Sequence, residues 1–166
     1  MSERLQKNAR RPRKVSPTIQ STELIVDNDY AGKAIDLVKS AQRDIVVCAY
    51  AWRWYEGEPE LGIQQLNSQL LAAKLQGLRV RCLVDGYRVF EMLKSQGFEC
   101  KYVNPARMLH TKAIMIDGTY LIIGSHNMTK RANRENLEMS LITTVTEPIL
   151  QFTTYFEKLW AVSNET

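Results

Sequence analysis

Both histidines of this 166-residue chain fall within one stretch, RMLHTKAIMIDGTYLIIGSHNMT, residues 107–129. Lys112 follows His110 by two residues, and Ser125 and Asn127 flank His126. These side chains suit work on a phosphate. An imidazole attacks phosphorus or shuttles a proton near neutral pH. A lysine supplies a point charge for a phosphate oxygen. Serine and asparagine donate hydrogen bonds to the remaining oxygens. A lone surface histidine beside ordinary polar neighbours would be unremarked; four phosphate-compatible groups on one short segment are not ordinary.

Something must bring these groups together. Asp117-Gly118 is a two-residue turn signal between two apolar runs, so the segment reads as a β-hairpin. A two-residue loop pairs Ile116 with Thr119 and sets His110 opposite Ser125. A four-residue loop sets His110 opposite Asn127. In either register His110, Lys112, Ser125 and Asn127 share one face, because side chains alternate and paired residues point the same way. Ala113, Met115, Ile122, Gly124 and His126 then face the other way. Only an odd-length loop separates the four.

In order along the chain stand H-x-K-x4-D (His110, Lys112, Asp117), G-S-x-N (Gly124, Ser125, Asn127) and N-x-E (Asn136, Glu138). This ordered set resembles the HKD motif of the phospholipase D superfamily, and the likeness by element order covers about residues 20 to 162. The strand LRVRCLVDG upstream is also similar to the family's. The resemblance implies that His110 is a nucleophile forming a phosphohistidine. It implies that Lys112, Ser125 and Asn127 bind phosphoryl oxygens, and that Glu138 orients a catalytic imidazole. Asp117 belongs to the motif, with a structural part in the turn expected because Asp tolerates the left-handed conformation. Gly124 and Asn136 are motif positions expected to be structural as well. His126 sits at the variable position and is expected to lie off the catalytic face.

Many members of the superfamily carry two such motifs in one chain, and this chain carries one. A double displacement needs a nucleophile and a separate acid. The expectation is therefore a homodimer with a composite site, in which one His110 attacks and its symmetry mate protonates the leaving oxygen. The motif stretch holds no carboxylate cluster, so neither a metal nor another cofactor is expected. Lys112 and its mate would supply the positive charge.

Charge and composition narrow the partner. Residues 1–17 contain six of the 22 Lys and Arg (Arg11, Arg13 and Lys14 among them) against one acidic residue, Glu3. The rest of the chain is close to neutral. Such a tail is drawn to phosphate polyanions, though nucleic acid and an anionic membrane both qualify. Trp52, Arg53 and Trp54 in the loop AWRWYEGEPE are candidate substrate contacts, through stacking on bases, insertion at a lipid interface or packing in the dimer. No apolar run reaches the ~20 residues that span a bilayer, and the N-terminus lacks a secretory core, so stable membrane insertion is not expected. Three cysteines without metal spacing read as buried free thiols in a reducing cytoplasm. Short single-motif relatives are similar to the bacterial nuclease branch. The leading expectation is thus a metal-independent phosphodiesterase, an endonuclease on DNA or RNA. A lipid phosphodiesterase of phospholipase D or cardiolipin type is an alternative, as is a non-catalytic nucleic-acid-binding relative.

The remaining chain supplies the scaffold, one domain over 18–166 behind the tail. Strand-like runs at 23–27, 44–50, 78–85 and 98–103 alternate with helical runs at 30–41, 61–75 and 87–95. The hairpin follows, then a strand within 135–143 and a closing helix over 147–160, with Ile149, Leu150, Phe152, Phe156 and Leu159 as its apolar set. Alternation of this kind predicts an α/β domain with a mixed, mostly parallel sheet flanked by helices.

Overall fold

The computed structural model describes residues 21–103 and 107–165. The tail, with Arg11, Arg13 and Lys14, lies outside the described residues.

Seven strands form one sheet: β1 (Thr22–Val26), β2 (Asp44–Ala49), β3 (Arg79–Val84), β4 (Glu99–Tyr102), β5 (Lys112–Ile116), β6 (Tyr120–Gly124) and β7 (Met139–Thr143). Five helices accompany them: α1 (Asp29–Ser40), α2 (Gly62–Leu75), α3 (Tyr87–Ser95), α4 (Lys130–Arg134) and α5 (Thr146–Val162). The α/β expectation holds, and so do the order and type of the elements read from sequence. The five-residue α4 has no counterpart in that reading.

The sheet order is β1-β7-β6-β5-β2-β3-β4. Parallel pairing is confined to β2–β3 and β3–β4. The other four pairs are antiparallel. The sheet is therefore mixed but not mostly parallel. The cause is topological: β5 returns against β2 as its antiparallel neighbour, and the β5–β6 hairpin then propagates that sense to β7 and β1.

Two apolar layers sandwich the sheet. On one side α1, α2 and α3 cover Ile45, Val47, Val80, Ile114, Ile116 and Ile122. On the other, Ile149, Phe152 and Phe156 of α5 pack on Val46, Cys48, Leu83, Ala113, Met115 and Leu121. Each such buried side chain contributes ~1.5–3 kcal/mol, so α5 is held chiefly by its apolar stripe. Arg81 adds a bidentate pair with Glu157 (2.7 and 3.0 Å) and lies 4.9 Å from the Phe156 ring centre. Leu150, expected in the stripe, is instead exposed, because it falls on the outer side of the helix.

The hairpin register differs from both expectations. Ile116 pairs with Tyr120 and Ala113 with Ile123, so the loop has three residues, Asp117 to Thr119. The loop is shaped by a distant segment. The Asp117 carboxylate accepts from the backbone N–H groups of Gln42 (2.8 Å), Arg43 (2.8 Å) and Asp44 (3.0 Å) at the start of β2. Asp117 and Gly118 both take positive φ, 53° and 62°, a conformation that Asp and Gly tolerate best.

Candidate functional site

An odd loop changes which residues share a face. Lys112 now falls opposite Gly124, by extension of the Ala113–Ile123 pair. The Lys112, Ile114, Ile122, Gly124 and His126 positions are of one parity, toward α1 and α2. Ser125 and Asn127 are of the other. The expectation that four groups gather on one hairpin face is thereby overturned.

They gather instead at one end of the sheet. β2 and β6 run in the same direction on either side of β5. Beyond Lys112, where β5 begins, these two flanking chains pair with each other. Trp52 and Met128 form a parallel bridge, Met128 N–H donates to Ala51 O (3.0 Å), and Arg53 N–H to Met128 O (3.0 Å). The chain ends thus close over the start of β5, and the start of β7 lies alongside. His110, Lys112, Ser125, Asn127 and Glu138 are all brought to this end.

Each is held by identifiable bonds. The Lys112 ammonium donates to His110 O (2.7 Å) and lies 4.9 Å from the centre of the Tyr50 ring. The exposed His110 ring packs on the same tyrosine, with centres 4.6 Å apart. Leu109, next to His110, donates its N–H to the Asp85 carboxylate at the end of β3 (2.7 Å). Asn127 Oδ1 accepts from Ala51 N–H (3.3 Å). Buried Asn133 donates to the carbonyls of Asn127 (3.1 Å) and Thr129 (3.0 Å), fixing that turn. Ser125 Oγ accepts from Met139 N–H (3.1 Å). Gly124 is required by packing, since a Cβ there would overlap Ser140 Oγ and Met139 O. Glu138 exchanges backbone bonds with Asp27: its N–H donates to Asp27 Oδ1 (2.9 Å) and its carbonyl accepts from Asp27 N–H (3.0 Å). Asn136 Nδ2 donates to Glu138 Oε1 (2.8 Å), steering that carboxylate.

Electrostatics distinguish the two basic groups at this end. Burial pushes the Lys112 ammonium below the ordinary lysine value, while the charge of Glu138 partly restores it. His126 is pushed down mainly by burial, against opposing help from the Asp27 carbonyl and the charge of Glu138. Its ring is 1% exposed and stacks on Tyr30 at 4.5 Å. Nε2 donates to the carbonyl of Asp27 (2.9 Å), which leaves Nδ1 to accept from Ser140 Oγ (2.8 Å). Both nitrogens are thus occupied inside the fold.

A family model described as "Cardiolipin synthase, PLD-like domain" matches residues 34–160, the span that contains every strand of the sheet except β1. The chain belongs to this phospholipase D-like family. Among curated relatives, the human mitochondrial cardiolipin hydrolase is 28% identical over 135 residues, covering 76% of this chain and 49% of the relative. The Xenopus tropicalis mitochondrial cardiolipin hydrolase is 26% identical over 130 residues, covering 75% and 58%. The chain thus spans about half the length of the curated relatives it matches. Among solved structures, the fold is similar to Nuc from Salmonella typhimurium, a phospholipase D family member (TM-score 0.72, 18% identity, 87% of this chain and 98% of that one). NucT from Helicobacter pylori is similar to the same extent (TM-score 0.70, 18%, 87% and 98%).

In this phospholipase D-like chain the aromatic loop departs from the sequence reading. Trp52 is 2% exposed and donates from its indole to Asn67 Oδ1 (2.8 Å), so its ring is core and is not offered to a substrate. Trp54 is half-buried against the α1–α2–α3 layer, and only Arg53 of the three is exposed. Asp85, Asp27, Asn133 and Ser140 were not singled out for the site by sequence. Asp85 carries a signal in retrospect, a carboxylate ending the strand LRVRCLVD. Tyr50 closes the strand-like run 44–50, and it is the ring that touches His110. Among the described residues no group of three or more His, Cys, Asp or Glu converges as a metal cluster would. None of the described helices is long and apolar enough to cross a membrane.

Proposed function

We propose that this chain is a metal-independent phosphodiesterase, an endonuclease that cleaves DNA or RNA through a phosphohistidine. The observation that carries the proposal is the exposed His110 imidazole and the Lys112 ammonium meeting the same Tyr50 ring at this end of the sheet. The imidazole attacks phosphorus, one ester oxygen departs with a proton, and water then hydrolyses the phosphohistidine. Lys112 offsets the charge that accumulates on the phosphoryl oxygens. Ser125 and Asn127 hold those oxygens, and Glu138 orients an imidazole.

The departing oxygen needs an acid, and His126 is sealed in the fold. A second copy supplies its own His110 in the homodimer. An uncovered apolar surface beside the site supports this. Leu24, Val26, Ile123 and Met139 are exposed and, by pairing register, share the face of the sheet that α5 covers only farther along. Contiguous exposed apolar surface of this kind marks contact with protein. The basic tail and Arg53 favour a polyanionic substrate. Three free, buried cysteines support a reducing compartment such as the cytoplasm.

The names of the curated relatives favour a second reading, hydrolysis of an anionic phospholipid. A cleavage panel separates the two. Labelled single- and double-stranded DNA and RNA and cardiolipin-containing vesicles are incubated with the full chain in EDTA. The proposal expects nucleic-acid cleavage that survives chelation. Hydrolysis of lipid alone, or activity abolished by EDTA and restored by magnesium, contradicts it.

A further inference from the structure

A groove of about 360 Å³ opens beside the candidate site, between the second half of α5 and the residues that lead into β5. Val103, Leu109, Leu159 and Val162 give it apolar walls, and Arg107 and Tyr155 stand in its lining with polar ends. It is joined to the site by short connections. Leu109 immediately precedes His110. The Tyr155 hydroxyl is 3.3 Å from Thr111 Oγ1, and Thr111 lies between His110 and Lys112. The Asp85 carboxylate fixes Leu109 from below. Tyr155 and Arg107 are both exposed.

We propose that this groove is a base subsite: it takes the unstacked nucleobase next to the phosphodiester held at His110. The inference rests on the nuclease reading and specifies its substrate as an unpaired strand. A base is flat and apolar on its faces and polar at its edge. The walls match the faces, and the Tyr155 hydroxyl and the Arg107 guanidinium match the edge or the next phosphate. An acyl chain has no use for either polar group. The volume is at the low end for a ligand pocket, which suits one ring system. A base reaches the groove only by leaving its stack, which costs a few kcal/mol in a duplex and little in a single strand. Single strands are therefore the preferred substrate.

The test uses dinucleoside monophosphates, in DNA and RNA forms, because each has one cleavable bond. Cleavage by the full chain in EDTA is compared with that of two analogues, each lacking one base. Loss of the base on one side of the phosphate should lower kcat/KM by about 5- to 150-fold, and loss of the other base much less. Val162→Trp fills the groove and should shrink that ratio toward one. Should that variant fold poorly, Tyr155→Phe and Arg107→Gln, each of which removes one of the two polar groups assigned to the base edge, should shrink it too. A ratio near one for both analogues in the wild-type chain, with the parent dinucleotide cleaved, removes the subsite and leaves the nuclease intact. Hydrolysis of cardiolipin vesicles with no nucleic acid cleaved overturns both.

Discussion

The Lys112 ammonium lies 4.9 Å from the centre of the Tyr50 ring. The same ring touches His110, so one aromatic side chain contacts both proposed phosphoryl-handling groups. Its negative face attracts the ammonium, and its bulk restricts the exposed imidazole.

Tyr50→Leu should therefore lower kcat by about 2- to 30-fold, the range of a cation–π contact from exposed to desolvated. Tyr50→Phe keeps the ring and should retain most of the activity. Steady-state kinetics on a small phosphodiester checks this. Equal losses in both variants would assign the effect to the hydroxyl instead.

Lys112 works only as the ammonium, and burial lowers its pKa from the ordinary value of 10.5. The rate should thus fall on the alkaline side at a pH below the usual lysine range. Lys112→Arg stays charged, so whatever rate it retains should lose that limb. A pH–rate profile of both proteins is the measurement. The same alkaline limb in the arginine variant would separate the titration from Lys112.

His126 predicts a stability effect rather than a catalytic one. Its folded pKa is depressed below 6.5 while the unfolded chain keeps the ordinary value. The unfolded state therefore binds the proton first as pH falls. The histidine's contribution is complete above about pH 6.5 and declines as pH drops from there toward the folded pKa. Melting temperatures measured from pH 7.5 to 5 should fall more steeply for the wild type than for His126→Gln. His126→Ala should lose stability by about 1–3 kcal/mol through its unpaired partners, and still turn over substrate where folded. Parallel melting curves would contradict this account.

Much of the scaffold was legible because its signals are local. The helical periodicity marked α2 and α3, and Asp117-Gly118 marked the hairpin. The ordered motif marked the candidate residues. What escaped depends on distant partners. The loop gained its third residue because Asp117 is bonded to amides some 75 positions earlier, and no local rule contains that bond. That one residue reversed the parity argument, yet the groups still reach one end because β2 and β6 close over Lys112. Trp52 reads as an available ring until Asn67 is seen beneath it. The antiparallel half of the sheet follows from where β5 inserts, which alternation of elements does not encode.

The composite site makes a stoichiometric prediction. In a purified, non-exchanging heterodimer of wild type with His110→Ala, independent sites would retain about half the activity. A shared site should fall far below half, since loss of acid–base help alone costs ~10²–10⁴-fold. Half activity would exclude the shared site.

The central claim is that the His110 imidazole becomes phosphorylated. Enzyme mixed in EDTA with a labelled oligonucleotide, denatured under alkaline conditions and mapped by mass spectrometry, tests it directly. The account predicts a phosphoryl-linked fragment on the peptide carrying His110, with neither adduct nor turnover in His110→Ala. Cleavage by His110→Ala at the wild-type rate, or an adduct on another residue, would contradict it.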